Sequence, residues 1–423
     1  MNFEYSEDFA KKQDAADELK SFREKFYFPQ LEGKDVVYFT GNSLGLQPKT
    51  VQDYVLNELE DWAGFGVEGH LHARKPWLPY HEQFSPLLAK ITGALPEEVV
   101  AMNQLTVNLH LLMVSFYRPS GRRNKILCEN RPFSSDQYAL ESQARFHNLN
   151  PGETVIEMSP RKGEYCLRTE DILSKIEELG EELALVMFGG VNYFTGQKFN
   201  MEKITAAAHK VGAIAGFDLA HAAGNVELRL HDWNVDFACW CSYKYLNSGP
   251  GSVAGAFVHK NHHGKNLPMF AGWWGHDKDS RFKMEKGFKP IPTAEAWQLS
   301  NAPVLSMAAH KASLDIFEEA GMSRLLKKQK ALTAYLEFVL REVAKRKNKN
   351  LEIITPAAED ERGCQISVVA HGMGKELFAS LISQGVISDW REPNVIRMAP
   401  VPLYNSFEDV FRFGKILEHC LSS

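Results

Sequence analysis

Two residues near the middle of the chain have the types and placement for cofactor chemistry. Asp218 closes the apolar run Ala213-Ile-Ala-Gly-Phe-Asp218, and Lys244 follows the alternating run Asp236-Phe-Ala-Cys-Trp-Cys-Ser242. A lysine amine condenses with carbonyl groups, while a buried aspartate keeps a pyridine nitrogen protonated and so makes its ring a stronger electron sink. The glycine-rich stretch Ser248-Gly-Pro-Gly-Ser-Val-Ala-Gly255 comes next, and glycines let a backbone approach a flat ligand without a Cβ in the way. Carboxylate, lysine and glycines together are what a pyridoxal-phosphate site requires. An Asp and a Lys at strand ends also occur as a plain surface ion pair, so the cofactor reading needs further residues.

A phosphate needs donors. The segment Met102-Asn-Gln-Leu-Thr-Val-Asn-Leu-His110 has the form of a polar turn opening an apolar helix, and helix N-termini bind anions. Thr106 could add its hydroxyl there, or Thr106 or Asn103 could serve simply as the helix cap. Phe133, in the loop Asn130-Arg-Pro-Phe-Ser-Ser-Asp136, follows a strand and precedes a helix. An aromatic ring at that place can stack on a flat cofactor or pack on the core.

These residues need strand ends to hold them. Segments 125–129, 153–158, 183–188, 213–218, 236–242 and 255–259 read as strands, separated by amphipathic stretches at 135–147, 169–179 and 201–211 long enough to cross a sheet face. That rhythm predicts an α/β domain around a largely parallel sheet, whose ligands bind at the carboxyl ends of the strands. After Asn301 the pattern changes to two long helices, near 304–320 and 322–346, then strands near 351–354 and 365–370, which predicts a smaller α+β domain. The expected division is an N-terminal helical arm over 1–40, a large domain over 41–300 and a small one over 301–423.

With 423 residues, 44% hydrophobic and 24% charged, the composition is that of a globular protein, and a chain this long should form two cores. A net charge of -5 with only short basic runs argues against nucleic acid as a partner. The start of the chain lacks the pattern of a secretory signal and no long apolar run would span a membrane, so a cytoplasmic protein is expected. The six cysteines show no paired spacing, and Cys239 and Cys241 read as reduced core residues. His70 with His72, and His262 with His263, lack a third ligand at a recognisable spacing, so no metal site is expected.

The run Asp218-Leu-Ala-His-Ala-Ala-Gly-Asn-Val-Glu-Leu228 and the run Trp240-Cys-Ser-Tyr-Lys-Tyr-Leu-Asn-Ser-Gly249 closely resemble the kynureninase family. So do Gly41-Asn-Ser-Leu-Gly-Leu-Gln-Pro48, Asn108-Leu-His-Leu-Leu-Met113, Gly272-Trp-Trp-Gly-His276, Arg281-Phe-Lys-Met284 and Arg397-Met-Ala-Pro-Val-Pro-Leu-Tyr-Asn405. The resemblance implies the aspartate-aminotransferase-like fold of pyridoxal-phosphate enzymes (fold type I), with a seven-stranded, mainly parallel sheet. It also implies a homodimer with active sites at the subunit boundary. The implied reaction is hydrolytic Cβ–Cγ cleavage of the small-molecule substrates kynurenine or 3-hydroxykynurenine, in tryptophan degradation or NAD synthesis.

By the same resemblance Lys244 is the lysine that binds the cofactor, Asp218 its pyridinium partner and Phe133 the stacking ring. Leu105 and Thr106 hold the phosphate, and Asp136, His221 and Tyr243 complete the pocket, with Tyr243 also a proton shuttle. Trp273 and Asn301 reach the pocket from the neighbouring subunit. Arg397 takes the substrate carboxylate, with Ser43 also on the substrate side, and His70 with Asn301 lies beside the substrate's aromatic ring, which implies a preference for the hydroxylated form. Gly189 departs from the pattern, since a serine is expected near the cofactor there. A cysteine desulfurase or an aminotransferase is the nearest rival on the same fold, and a desulfurase would need an exposed reactive cysteine. Cys364 has the position for it, yet it reads as the start of a strand. A non-catalytic binding protein is the other alternative, and the presence of Lys244, Asp218, Phe133 and Arg397 argues against it.

Overall fold

Asp218 ends the central strand of a seven-stranded sheet. The computed structural model describes residues 2–422. The strands are β1 (Val99–Ala101), β2 (Lys125–Glu129), β3 (Val155–Met158), β4 (Leu183–Gly189), β5 (Ile214–Asp218), β6 (Phe237–Trp240) and β7 (Gly255–Val258). They lie in the order β1–β7–β6–β5–β4–β2–β3. Neighbours from β6 across to β3 pair in parallel, and β7 is antiparallel to both β6 and β1. Only β7 therefore runs against the others, and the remaining strands end on one edge.

The helices that matter are α1 (Glu7–Ala15), α2 (Val51–Phe65), α3 (Leu105–Phe116), α4 (Ser134–Phe146), α5 (Thr169–Leu179), α6 (Met201–Lys210), α7 (Val304–Ala320), α8 (Met322–Lys347) and α9 (Phe407–Cys420). The strands are apolar runs because both faces of the sheet are covered. Leu127, Val186, Phe188, Phe217 and Trp240 point into a core closed by α5, α6 and α7. Ile126, Cys128, Leu185, Met187, Phe237 and Cys239 point the other way, against α3 and α4. Cys239 thus serves as the small core residue that its place in the run predicts.

Two boundaries differ from expectation. Residues 153–154 belong to a single helical turn, Pro151–Thr154, opened by proline, and the strand begins only at Val155. Residues 241–242 leave the sheet after Trp240, which frees Cys241 to turn toward the ligand edge. Nothing in the sequence pattern marks β1, whose three residues are too few to show a period.

A second sheet holds β8 (Leu351–Ile353), β9 (Ile366–Ala370), β10 (Asp389–Arg391) and β11 (Val395–Met398), in the order β8–β9–β11–β10 with every pair antiparallel. With α8, α9 and α1 it encloses a separate core around Tyr335, Leu336, Val339, Ile396 and Phe413. The N-terminal arm packs here. Ala10 enters this core, and the Asp14 carboxylate accepts the amides of Phe407 and Glu408 at 2.7 and 2.9 Å, satisfying the open end of α9. Asp17 pairs with the buried Lys328 at 2.7 Å. Among the described residues no helix is long and apolar enough to cross a membrane.

Candidate active site

The shared edge of the parallel strands opens onto a cavity of about 180 Å³. The chain leaving β1 reaches it with Leu105 and Thr106, that leaving β2 with Phe133, Ser135 and Asp136, that leaving β5 with Asp218 and His221, and that leaving β6 with Tyr243 and Lys244. Glu129, Gly189, Val191, Tyr193, Ala220 and Cys241 complete the wall. All eight residues expected to hold the cofactor within one subunit are therefore brought together, although they span nearly 140 positions of sequence (105 to 244).

At one end stands the N-terminus of α3. Gln104 precedes it in an extended conformation and its side chain makes no capping bond. Asn103 does not cap either, since its amide donates to Asn108 at 3.0 Å, and the Thr106 hydroxyl lies 2.7 Å from that of Ser135. The first amides of the helix are thus left without side-chain partners beside two hydroxyls, an arrangement suited to a phosphate.

At the other end Lys244 Nζ lies 3.1 Å from His221 Nε2 and 5.6 Å from the centre of the Phe133 ring. Burial, and then the nearby Lys244 charge, holds the His221 imidazole well below its ordinary range, so it stays neutral and accepts a hydrogen bond from the lysine. Asp218 accepts the amide of Ala220 at 2.6 Å; burial raises its carboxyl, and Lys244 opposes that rise. Burial and the adjoining Asp218 push Asp136 well up, so Asp136 keeps its proton and donates it to Asp218. Glu129 is pushed up to about 7, chiefly by burial, and accepts the Gly189 amide at 3.1 Å. Tyr243 is also raised by burial and keeps its hydroxyl proton at neutral pH.

Arg397, on β11, is fully buried next to this cavity and donates to the carbonyl of Tyr193 at 2.5 Å. Its other nitrogen meets Asp389 and, at 3.4 Å, the Ser43 hydroxyl. The loop carrying Ser43 is held by a close approach. The Gly45 amide donates to Tyr243 O at 2.9 Å, and a Cβ on Gly45 would fall 2.4 Å from Lys244 O.

Comparison with known proteins decides the lineage. Over 419 residues the chain is 59% identical to the kynureninase of Christiangramia forsetii, covering 99% of both. It is 46% identical over 427 residues to that of Mus musculus, covering 97% of the chain and 92% of the relative. Residues 325–417 match the profile described as the kynureninase C-terminal domain. The chain belongs to the kynureninase family. Its fold is that of pyridoxal-phosphate enzymes of fold type I. A cysteine desulfurase from Thermococcus onnurineus superposes with a TM-score of 0.74 at 19% identity, covering 92% of this chain and 95% of that one. The C-DES enzyme with glycine covalently linked to its PLP cofactor gives 0.75 at 15%, covering 90% and 96%.

In this kynureninase-family chain Cys364 does not have the exposure that a desulfurase's reactive cysteine needs. Cys364 is fully buried just before β9, and burial pushes its thiol far up. The Gly189 amide is engaged by Glu129, and a Cβ there would lie 3.1 Å from that carboxylate. Gly249 and Gly251 take positive φ in their turn and do not line the Lys244 cavity. His70 and Asn301 do come together, in a second cavity of about 300 Å³ with Glu58, Trp62, Trp77 and Leu305. Neither borders the Lys244 cavity, nor does the exposed Trp273, whose indole donates to Arg281 O at 3.1 Å. The paired histidines of the sequence part company: His262 bonds Asp236 at 2.7 Å and His263 bonds Val258 O at 2.9 Å. Ser135, Glu129 and Asp389 are site neighbours that the sequence reading missed; the first two sit beside a strand end, where the strand-end rule could have found them.

The neutral His221 gives a direct expectation. Its imidazole carbon shifts, followed by NMR, show no protonation step in the window where an ordinary imidazole titrates, because a depressed imidazole takes its proton only at lower pH. A step inside that window would contradict the Lys244–His221 bond as described.

Proposed function

We propose that this chain hydrolyses the Cβ–Cγ bond of kynurenine or 3-hydroxykynurenine, giving anthranilate or 3-hydroxyanthranilate and alanine with pyridoxal phosphate as cofactor. It is then a hydrolase of carbon–carbon bonds in ketonic substances. The observation that carries this reading is the single cavity in which Lys244, Asp218, Phe133 and the uncapped start of α3 meet, in a chain alike along its whole length to named kynureninases.

The residues fit the cofactor. The buried Nδ1 of His221 and Oδ1 of Asp136 lack protein partners, and the α3 amides await an anion. Lys244 would hold the group covalently, Leu105 and Thr106 its phosphate, Phe133 one ring face, and Asp218, supported by the proton on Asp136, its ring nitrogen. Pyridoxal phosphate, when bound, supplies an electron sink that stabilises a substrate carbanion. The protein does the rest. The Lys244 amine moves the proton at the substrate α-carbon, with His221 kept neutral beside it. Tyr243 holds a proton to deliver when alanine leaves. Arg397 reads the α-carboxylate through its guanidinium fork. Ser43 stands on the same side.

We further propose a cytoplasmic homodimer whose sites are shared. Trp273, His70 and Asn301 lie apart from the Lys244 cavity, and α2 presents an exposed apolar stripe of Leu56, Leu59, Trp62 and Phe65 that continues to Val67 and Leu71. In that arrangement His70 and Asn301 of one copy meet the aromatic ring of the substrate in the other, favouring the hydroxylated substrate.

The reaction is tested by steady-state kinetics of the cofactor-loaded protein with each substrate, scoring alanine. Alanine from both, with the larger kcat/KM for 3-hydroxykynurenine, is expected; a preference for kynurenine would remove the His70–Asn301 role, and no alanine would remove the function. Site sharing is tested by mixing inactive Lys244→Ala and Trp273→Ala subunits. About a quarter of the wild-type activity should return, since half of the pairs hold one intact site of two. No recovery, with subunit exchange shown by mass, would contradict shared sites.

A further inference from the structure

Arg397 is already occupied by an anion of the protein itself. Asp389 on β10 pairs across the small sheet with Arg397 on β11. One oxygen of its carboxylate takes short bonds from Arg397 Nη2 and from the Ser43 hydroxyl, and Arg391 Nη2 lies 3.3 Å from the same oxygen. The opposite nitrogen of Arg397 is engaged by Tyr193 O, a residue of the Lys244 cavity. The Nε atoms of both arginines are buried and have no partner. Two guanidinium groups thus share one carboxylate, with a positive charge and two donors left over beside the cavity.

Such a cluster has the charge to hold one more anion. A fully buried guanidinium without a partner is costly, so a resident carboxylate keeps Arg397 in place while no substrate is bound. An incoming carboxylate meets that resident as a like charge, unless the resident has another cation to turn to. Arg391 supplies one, with its unused Nε.

We propose that Asp389 is an internal stand-in for the substrate α-carboxylate. It positions Arg397 in the free enzyme, passes to Arg391 when substrate binds, and thereby sets how strongly the site prefers carboxylates. This rests on the reading of Arg397 as the carboxylate site. Asp389 is a positioning residue, and its effect is on binding of an anionic head group and not on the chemistry at Lys244.

The test is calorimetric titration of the cofactor-loaded protein with L-alanine and with L-alaninamide, which differ only in the carboxylate. Wild type favours alanine. Asp389→Asn keeps an acceptor but removes the competing charge, so the alaninamide-to-alanine Kd ratio rises about tenfold. Arg391→Gln leaves Asp389 nowhere to go, and the ratio falls; this variant also serves if Asp389→Asn folds poorly. A purely structural Asp389 would not move the ratio in opposite directions in the two variants, and a ratio that stays constant or shifts the other way overturns the proposal. Arg397→Gln separates the two levels: loss of the alanine preference upholds the underlying carboxylate reading, and its retention overturns that reading together with the proposal.

Discussion

The Lys244 cavity depends on parallel strands that end together at an edge of a sheet buried on both faces. Parallel pairing from β6 to β3, with β1 running the same way, puts the residues that follow β1, β2, β5 and β6 around one cavity. The helices that cover the sheet are also what return each strand to the same edge, so packing and site geometry are one constraint. The short excursion at Cys241 and Ser242 carries Tyr243 and Lys244 off the sheet toward Asp218, and the approach of Gly45 to Lys244 O fixes that excursion from outside.

Burial then decides the protonation states. In the same low-dielectric space Asp136 keeps a proton and Asp218 receives its hydrogen bond, His221 stays neutral, and Tyr243 stays a donor. The sheet edge thus presents a pair of buried carboxyls, a neutral imidazole beside the lysine and a protonated phenol, each set by its depth in the fold. Arg397, on the small sheet, is tied to the wall of the cavity through Tyr193 and so links the two sheets there.

Much of this was legible in the sequence, because strand ends are. Asp218 and Lys244 could be placed at neighbouring strand ends from alternation alone, and all six expected strands of the main sheet lie where their apolar runs predicted to within two residues; the one expected at 153 starts two residues late because Pro151 opens a helical turn. Thr106 could be read as a cap or as a phosphate ligand, and the structure removes the cap reading by putting Gln104 at the cap position. Asp389 was not legible at all. Its role is a contact across an antiparallel pair with Arg397, and nothing in the local pattern distinguishes it from any acidic residue on a short strand. His70 and Asn301 needed family resemblance, since only folding brings α2's end against the start of α7.

We propose that Lys244 holds the cofactor in the cavity at the shared strand edge. Borohydride reduction of the protein loaded with pyridoxal phosphate, followed by peptide mapping in a mass spectrometer, tests it most directly. A single pyridoxyl-modified peptide carrying the label on Lys244 is expected. Label on another lysine, or none at stoichiometric cofactor, would contradict it.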